Sequence, residues 1–146
     1  MDQINDIDFS YFAMRLLLNL KDSHPHRIHD REFIDERSSA ALEAYVKAIS
    51  EGEHSDIAHE IADDVLCEGL DFSLHDLIVD VLWDEFTYVV PPSIADRVAI
   101  RLYPYLDCLT YKYDTTDDFT YSEEYMKLYT ELVGAIAIKL EELYGI

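Results

Sequence analysis

Glycine and proline are scarce in this sequence, with four of each among 146 residues. Because so few chain breakers leave long uninterrupted segments, the composition favours helices joined by short turns over sandwiches or barrels, which need many turns. Hydrophobic residues make up 49% of the chain. A chain of this length buries about 68 to 70% of its unfolded surface, so we expect a folded protein with a real core.

Cysteine and catalytic sequence motifs are also sparse. Cys67 and Cys108 lie far apart, and neither belongs to a CxxC pair. A lone disulfide is not a plausible framework for a chain of this length, so we expect free thiols. The sequence has no G-x-S-x-G elbow and no glycine-rich phosphate loop, which argues against the usual hydrolase and nucleotide-binding folds.

Long hydrophobic runs are absent as well. No apolar run approaches the roughly 18 residues that would suggest a membrane span. The first ten residues, "MDQINDIDFS", are acidic where a secretory signal would be basic. The sequence therefore predicts a soluble, cytoplasmic protein.

Positive charge is scarce relative to negative charge. The chain has 31 Asp and Glu against 11 Lys and Arg, a formal net charge of -20, and residues 48 to 96 contain thirteen Asp or Glu and no Lys or Arg. A protein that binds a nucleic acid duplex needs cations to release the counterions of the phosphates. Direct binding of nucleic acid is therefore not expected.

Apolar residues recur at helical spacing along the whole chain. A first helix follows Asp8, which can cap it, and a second opens at Asp30 and stops at Gly52. A third helix begins at Ser55 and ends at Gly69. Its predicted inward side consists of Ile57, Ala58, Ile61, Ala62, Val65 and Leu66, and its acidic side of Asp56, Glu60, Asp63 and Asp64.

The fourth helix opens with "SLHD", which resembles a capping box from Ser73 to Asp76. Its predicted inward residues are Leu74, Leu77, Ile78, Val81 and Leu82, with Val79 and Trp83 widening the apolar side. On the other side Asp76, Asp80 and Asp84 stand four residues apart with no cation between them. Such like-charge pairs destabilise a helix by about 0.2 to 0.5 kcal/mol each, so this helix must be held by its buried side.

Two further helices complete the expected fold. Ser93 and Asp96 suggest a capping pair for a fifth helix, which Pro104 should kink or end. The last helix has Ser122 as its cap and Gly145 after its end. We therefore expect an all-α protein, a single-domain bundle of five to seven helices that spans residues 1–146.

Seven short segments carry a family resemblance: "SYFAMRLL", "SHPH", "FIDERSSAA", "GLDFSLHD", "DEF", "DDF" and "EYMKLYTELVG". In this order and spacing the chain resembles a family of small acidic all-helical bacterial proteins that is catalogued only as a domain of unknown function. The resemblance covers nearly the whole chain. It implies a helical fold and a setting on conjugative transposons or similar integrated elements, and it supplies no catalytic residues.

The stretch "KDSHPHRIHDREF" contains three histidines. His24, His26 and His29, with Asp22 or Asp30, could bind a divalent transition metal, since imidazole and carboxylate groups suit zinc or iron. The alternative is a loop between two helices with solvated imidazoles. Because His24 precedes a proline and is therefore extended, the loop is the favoured interpretation.

A second motif, "HEIAD" from His59 to Asp63, echoes the HExxH helix of zinc peptidases. It has Asp63 where the second histidine belongs, and no third ligand can be identified. A solvated helix side is the favoured interpretation, and we expect no metal and no cofactor.

The acidic residues of helices three and four allow two interpretations. In the first they only maintain solubility, and Arg37, Arg97 or Arg101 approaches them in the fold. In the second they bind a basic protein, by imitating the regularly spaced phosphates of DNA. The candidate partner-binding residues are Asp56, Glu60, Asp63, Asp64, Asp76, Asp80 and Asp84. We expect a non-catalytic interaction module accessory to a mobile element; the alternative is a metal-dependent enzyme that uses the histidine loop.

Tyrosine is concentrated near the C-terminus, with seven of eleven between Tyr103 and Tyr129. Tyrosine is enriched at protein interfaces because it combines a large contact area with a polar tip. The candidates for a protein-binding or self-association surface are Tyr103, Tyr105, Tyr111, Tyr113 and Tyr121. Asp117 and Asp118 could pair as acid and base, or satisfy backbone donors in the turn before Ser122.

Overall fold

The computed structural model describes residues 9–116 and 118–145. These residues form six α-helices and contain no strand, which confirms the all-α prediction and the expected number of helices. The helices are α1 (Phe9–Ser23), α2 (Arg31–Ser50), α3 (Ser55–Leu66), α4 (Leu74–Glu85), α5 (Ala95–Leu106) and α6 (Glu123–Tyr144). The predicted cap of the first helix, Asp8, lies outside the described residues.

Short 3-10 turns connect several of these helices, at Pro25–Arg27, Pro92–Ile94, Asp107–Thr110 and Phe119–Tyr121. Two of them begin with a proline, whose fixed φ suits the first position of a helical turn and whose missing N–H is not needed there. Within the described residues, no helix combines the length and the apolar character that crossing a membrane requires.

The predicted helix caps at Asp30, Ser73 and Ser122 are confirmed. Each side-chain oxygen accepts a hydrogen bond from the main-chain N–H three residues further on, at 3.2, 3.0 and 3.3 Å respectively. Each bond satisfies one of the donors that a helix start leaves without a partner. At the other end of α6, Gly145 takes a φ of +71°, a left-handed conformation that strains any side chain and that suits glycine.

The chain divides into two compact units, an N-terminal unit up to Leu70 and a C-terminal unit from Asp71. Each has its own hydrophobic core. The expectation of a single domain over residues 1–146 stays a prediction.

In the N-terminal unit, the core lies between α1, α2 and α3. Its buried residues are Phe12, Leu16, Leu20, Ile34, Ala41, Tyr45, Ala48, Ala58, Ala62, Leu66 and Leu70. Alanines at successive turns of α2 and α3 let these two helices approach closely, while α1 contributes the large side chains. Phe12 has no exposed surface and contacts the ring of Tyr45, with 6.3 Å between the ring centroids.

In the C-terminal unit, α4, α5 and α6 surround a larger core. Its fully covered side chains include Ile78, Leu82, Leu102, Leu128, Leu132 and Ile136. Leu128, Leu132, Ile136 and Leu140 follow one another at four-residue spacing along α6. This is the apolar stripe that the periodicity of the last helix predicts.

The prediction for the start of the fifth helix was wrong. Ser93 does not cap α5, which begins at Ala95 after the 3-10 turn, with Ile94 as an N-cap that makes no side-chain bond. Asp96 lies in the first turn and bonds to His75 instead. Pro91 and Pro92 explain the difference, because the prolines favour the 3-10 turn that occupies the predicted capping position.

Pro104 does not end the fifth helix. α5 continues from Ala95 to Leu106 with Pro104 inside it. Leu102 and Leu106, on either side of the proline, are both buried in the core of the C-terminal unit. Their packing offsets the main-chain hydrogen bond that a proline removes from a helix interior.

The inward side of α3 is also rotated from its predicted position. Ala58, Ala62 and Leu66 are buried as expected, but Ile57 and Ile61 are exposed. The side chain of His59 is instead half-buried, 5.0 Å from Tyr45 between ring centroids. Contact with α2 on this side turns the two isoleucines toward solvent, a tertiary effect that a helical wheel cannot show.

Candidate functional site

Helix α4 separates most of its apolar residues from its acidic ones as the sequence predicts. The exception is Trp83, which was predicted to widen the apolar side and is instead 51% exposed near the end of the helix. Leu74, Leu77, Ile78, Val81 and Leu82 are all buried. On the opposite side Asp76, Asp80 and Asp84 are exposed. Burial of the apolar side holds the helix in place, so a row of three like charges can stand on its surface.

No lysine, arginine or histidine of the described residues forms an ion pair with Asp76, Asp80 or Asp84. The described ion pairs all involve other carboxylates. Two of the arginines that could have approached have other partners. Arg101 lies over the ring of Tyr144, 5.0 Å from its centroid, and Arg37 donates to the carbonyl oxygens of Leu66 and Glu68.

The three carboxylates affect one another electrostatically. Partial burial raises the pKa of Asp80 above its usual value, and the negative charges of Asp84 and Asp76 raise it further. A raised pKa means that the ionised form of Asp80 is less stable in the folded protein than in the unfolded chain. Ionised Asp80 therefore opposes folding, and a cation brought to it from outside would offset this effect.

Two tyrosines of α6 lie beside this row. The hydroxyl of Tyr129 is within 3.2 Å of a carboxylate oxygen of Asp84 and of one of Glu85, and can donate to either. Burial and the nearby Asp84 raise the pKa of Tyr129, and burial and Asp80 raise that of Tyr125. Both phenols therefore stay neutral, so they leave the negative charge of the row uncompensated.

A small cleft of about 200 Å³ opens beside the N-terminal half of α4. Asp76 and Asp80 form its acidic wall, and Phe72, Thr120 and Tyr125 lie on its other sides. Carboxylates next to aromatic rings suit the side chain of a lysine or arginine, which can pair with the acid and stack on the ring. The cleft therefore suits the side chain of one lysine or arginine.

The acidic side of α3 has a different environment. Arg15 binds Asp63 with two hydrogen bonds, Nε to Oδ1 at 3.1 Å and Nη2 to Oδ2 at 3.0 Å. Asp56, Glu60 and Asp64 are exposed. One of the four candidate acids of α3 is therefore already paired with an arginine, whereas the row of α4 has no ion pair among the described residues.

The histidine loop does not bring its three imidazoles together as a group. His24 is buried, and its Nε2 lies 3.0 Å from the carbonyl oxygen of Leu70. Since a carbonyl only accepts, this nitrogen carries the proton and cannot bind a metal. His26 and His29 are exposed. Among the described residues no group of three or more His, Cys, Asp or Glu is placed to hold a metal ion.

The residues of the "HEIAD" motif do not form one site: His59 packs against aromatic rings, and Asp63 forms an ion pair. The His59 ring is half-buried against the rings of Tyr45 and Tyr11, at centroid distances of 5.0 and 5.9 Å. Asp63 pairs with Arg15, and Glu60 is exposed. These contacts are those of a packed helix surface.

The C-terminal tyrosines have different exposures. Tyr111 and Tyr121 are well exposed, at 75% and 91%, and Tyr105 is exposed beneath the ammonium group of Lys139. Tyr103 and Tyr113 are half-buried, and the hydroxyl of Tyr113 donates to Glu131. The suggested pair of Asp117 and Asp118 cannot be placed, because Asp117 lies outside the described residues.

Sequence reasoning missed one pair, in which a buried histidine contacts an exposed aspartate. His75 is 1% exposed, and its Nε2 lies 2.7 Å from Oδ1 of Asp96. The other ring nitrogen, Nδ1, is buried without a partner. The signal was present in the spacing, because His75, Ile78 and Leu82 lie on one side of α4 at intervals of three and four.

Replacing Asp80 with asparagine should stabilise the protein at neutral pH. The substitution removes repulsion from two neighbours at four-residue spacing, for a gain on the order of 0.5 kcal/mol. Because the folded state raises the pKa of Asp80, the penalty for its charge is present above that raised pKa. This penalty disappears as the pH falls toward 3.8, the ordinary pKa of an aspartate side chain.

Urea unfolding of wild type and Asp80→Asn across this pH range checks the prediction. The difference in free energy of unfolding should shrink as the pH falls. Asp35→Asn on α2, an exposed site outside the row, serves as the control and should show no such gain. A destabilised Asp80→Asn protein at neutral pH would mean that the carboxylates attract a partner group within the fold.

Fold and site together define a small acidic all-α protein with a row of uncompensated carboxylates on one helix. A family model, described as "Domain of unknown function (DUF1896)", matches residues 4–146. The chain therefore belongs to this family, as the sequence resemblance suggested.

A solved structure supports the fold. The chain is similar to protein PG0816 from Porphyromonas gingivalis, known from a crystal structure, with 37% sequence identity, a TM-score of 0.85 and coverage of 92% of each chain. The search of curated proteins gave no match.

Proposed function

We propose that the protein is a cytoplasmic, non-catalytic interaction module that presents the acidic side of α4 to a basic protein. The observation that carries the proposal is the row of Asp76, Asp80 and Asp84, which is exposed and has no ion-pair partner among the described residues. Partial burial and the negative charges of Asp84 and Asp76 raise the pKa of Asp80, so the fold disfavours its ionised form. Groups that oppose folding are concentrated at functional sites, so the row is a candidate binding surface.

The geometry of the row supports a comparison with DNA. Residues four apart on a helix are separated by about 6 Å along its axis, so α4 presents single negative charges at regular intervals. A nucleic acid strand likewise presents regularly spaced phosphates, and proteins that bind it do so through lysine and arginine. The partner class we propose is a DNA-binding protein, whose basic surface the row would occupy.

The mobile-element setting that the family resemblance implies agrees with this proposal. DNA transferred between cells meets nucleases and other DNA-binding proteins of the host. An acidic decoy would compete with the DNA for their basic surfaces. The exposed acids of α3, Asp56, Glu60 and Asp64, form a second and weaker set in the same proposal, because Arg15 already pairs with Asp63.

The test is affinity capture by the immobilised protein, followed by elution with duplex DNA. We expect a DNA-binding protein that is retained at low salt and released both by high salt and by duplex DNA. The triple variant Asp76→Asn, Asp80→Asn and Asp84→Asn should bind this protein about tenfold more weakly, since three exposed ion pairs contribute about 0.5 kcal/mol each.

The matched control removes the same number of charges elsewhere. Asp35→Asn, Glu36→Gln and Glu43→Gln lie on exposed positions of α2 and should leave the binding within about twofold of wild type, because these three residues are not part of the row. Equal loss in both triple variants would show that net charge, and not this surface, is responsible. If the α4 triple variant still retains the partner protein, the row of Asp76, Asp80 and Asp84 is not the binding surface.

A further inference from the structure

A cluster of exposed apolar side chains adjoins the acidic row of α4. Trp83, near the end of the helix, is 51% exposed, and the following loop exposes Tyr88 completely and Val89 by 42%. We call these three residues the aromatic cluster. Exposed apolar groups of this size, next to polar ones, are typical of protein interaction sites, where tryptophan and tyrosine contribute most of the binding energy.

The loop that carries the cluster is held in place by its own contacts. Val90 is buried in the core of the C-terminal unit. The main-chain N–H groups of Val89 and Val90 donate to the carbonyl oxygen of Phe86, at 3.1 and 2.8 Å. The indole Nε1 of Trp83 donates to the carbonyl oxygen of Pro92 at 3.3 Å. A partner would therefore meet an indole ring and a loop main chain that are already ordered, which lowers the entropy cost of binding.

Helical spacing places the indole beside the carboxylates. Trp83 is three residues from Asp80 and adjacent to Asp84 in sequence, and residues three or four apart are neighbours on a helix surface. The nearest positive side chain in sequence is Arg97. An aromatic ring next to the uncompensated carboxylate of Asp80 attracts a cation twice, through the charge of the acid and through the face of the ring.

We propose that the aromatic cluster and the acidic row form one docking surface for a segment of a partner protein in which arginine alternates with apolar side chains. The arginines pair with the carboxylates and stack on Trp83, and the apolar side chains cover Tyr88 and Val89. This inference rests on the proposed function and adds the chemistry of the partner's segment. A partner that bound the row only as a substitute for DNA phosphates would need the acids but not the aromatic cluster.

Two synthetic peptides of equal length and arginine content test the inference, one with arginine alternating with leucine and the other with arginine alternating with serine. Trp83 is the only tryptophan, so its fluorescence reports binding at the site itself. We expect the arginine-leucine peptide to bind about tenfold more tightly than the arginine-serine peptide. A label on the peptide gives the affinity of variants that lack the indole.

The double variant Tyr88→Ala and Val89→Ala should remove this tenfold preference and leave the arginine-serine peptide binding unchanged. Trp83→Ala should weaken the binding of both peptides, because arginine of either peptide stacks on the indole. Met126→Ala with Ile138→Ala, two side chains on α6 that are each 57% exposed, is the control and should keep the preference. Trp83→Phe retains an aromatic face and should restore most of the affinity.

The outcomes separate this inference from the proposed function. If the two peptides bind equally well, or if the double variant keeps the preference, the aromatic cluster is not part of the surface. If the Asp76, Asp80 and Asp84 triple variant binds the arginine-serine peptide as wild type does, the acidic row itself is eliminated. Failure of both peptides to bind would overturn the docking surface.

Discussion

Phe12→Ala should lower the free energy of unfolding of the N-terminal unit by about 3 to 5 kcal/mol. Phe12 has no exposed surface, and its ring contacts those of Tyr11 and Tyr45 at centroid distances of 5.1 and 6.3 Å. Truncation would leave a cavity that neighbouring rigid rings cannot fill. Because proteins of this size are stable by only about 5 to 15 kcal/mol, a loss of this magnitude removes a large share of the total stability.

Urea unfolding followed by far-ultraviolet circular dichroism measures this loss. Leu18→Ala is the matched control on the same helix, because Leu18 is 57% exposed and its truncation should change stability by no more than about 0.5 kcal/mol. Equal effects from the two substitutions would contradict the assignment of the buried side of α1.

Asp96→Ala should lower the free energy of unfolding of the C-terminal unit by about 1 to 3 kcal/mol, the usual cost of leaving a buried polar group without a partner. The carboxylate of Asp96 accepts from Nε2 of His75, a residue that is 1% exposed and whose Nδ1 already has no partner. Without Asp96, both ring nitrogens would lack a protein partner.

Asp96→Asn isolates this hydrogen bond. Both variants lose the negative charge in the first turn of α5, but asparagine keeps an oxygen that can accept from Nε2. The fluorescence of Trp83 follows unfolding of the C-terminal unit in both. We expect Asp96→Asn to be clearly more stable than Asp96→Ala, and equal stability would show that the bond contributes nothing.

The helices were predictable because their signals are local. The caps at Asp30, Ser73 and Ser122 depend on a side chain that reaches a main-chain N–H three residues away, so the sequence alone contains the information. The buried side of α4 was predictable for a similar reason. Its apolar residues repeat at helical spacing, and only one side of the helix is apolar.

Two of the incorrect predictions depend on contacts between distant residues. Ile57 and Ile61 are exposed because α2 contacts α3 on the side of His59. Asp96, predicted to cap α5, instead pairs with His75, twenty-one residues away. Helical periodicity describes one helix at a time and contains no information about its neighbours.

The candidate site was predictable in part. The spacing of Asp76, Asp80 and Asp84 shows that the three carboxylates share one side of a helix. It could not show whether an arginine would reach them. It also could not show that α6 places Tyr129 beside Asp84, or that the Trp83 side chain is exposed beside the row. These facts depend on the packing of α4, α5 and α6.

The central claim is that the acidic row of α4 binds a basic partner through its charge. The most direct test is the salt dependence of the association constant for the captured DNA-binding protein, measured for wild type and for the triple variant of Asp76, Asp80 and Asp84. The account predicts a steep fall of affinity with salt for wild type and a clearly shallower one for the variant. Parallel salt dependences for the two proteins would contradict it.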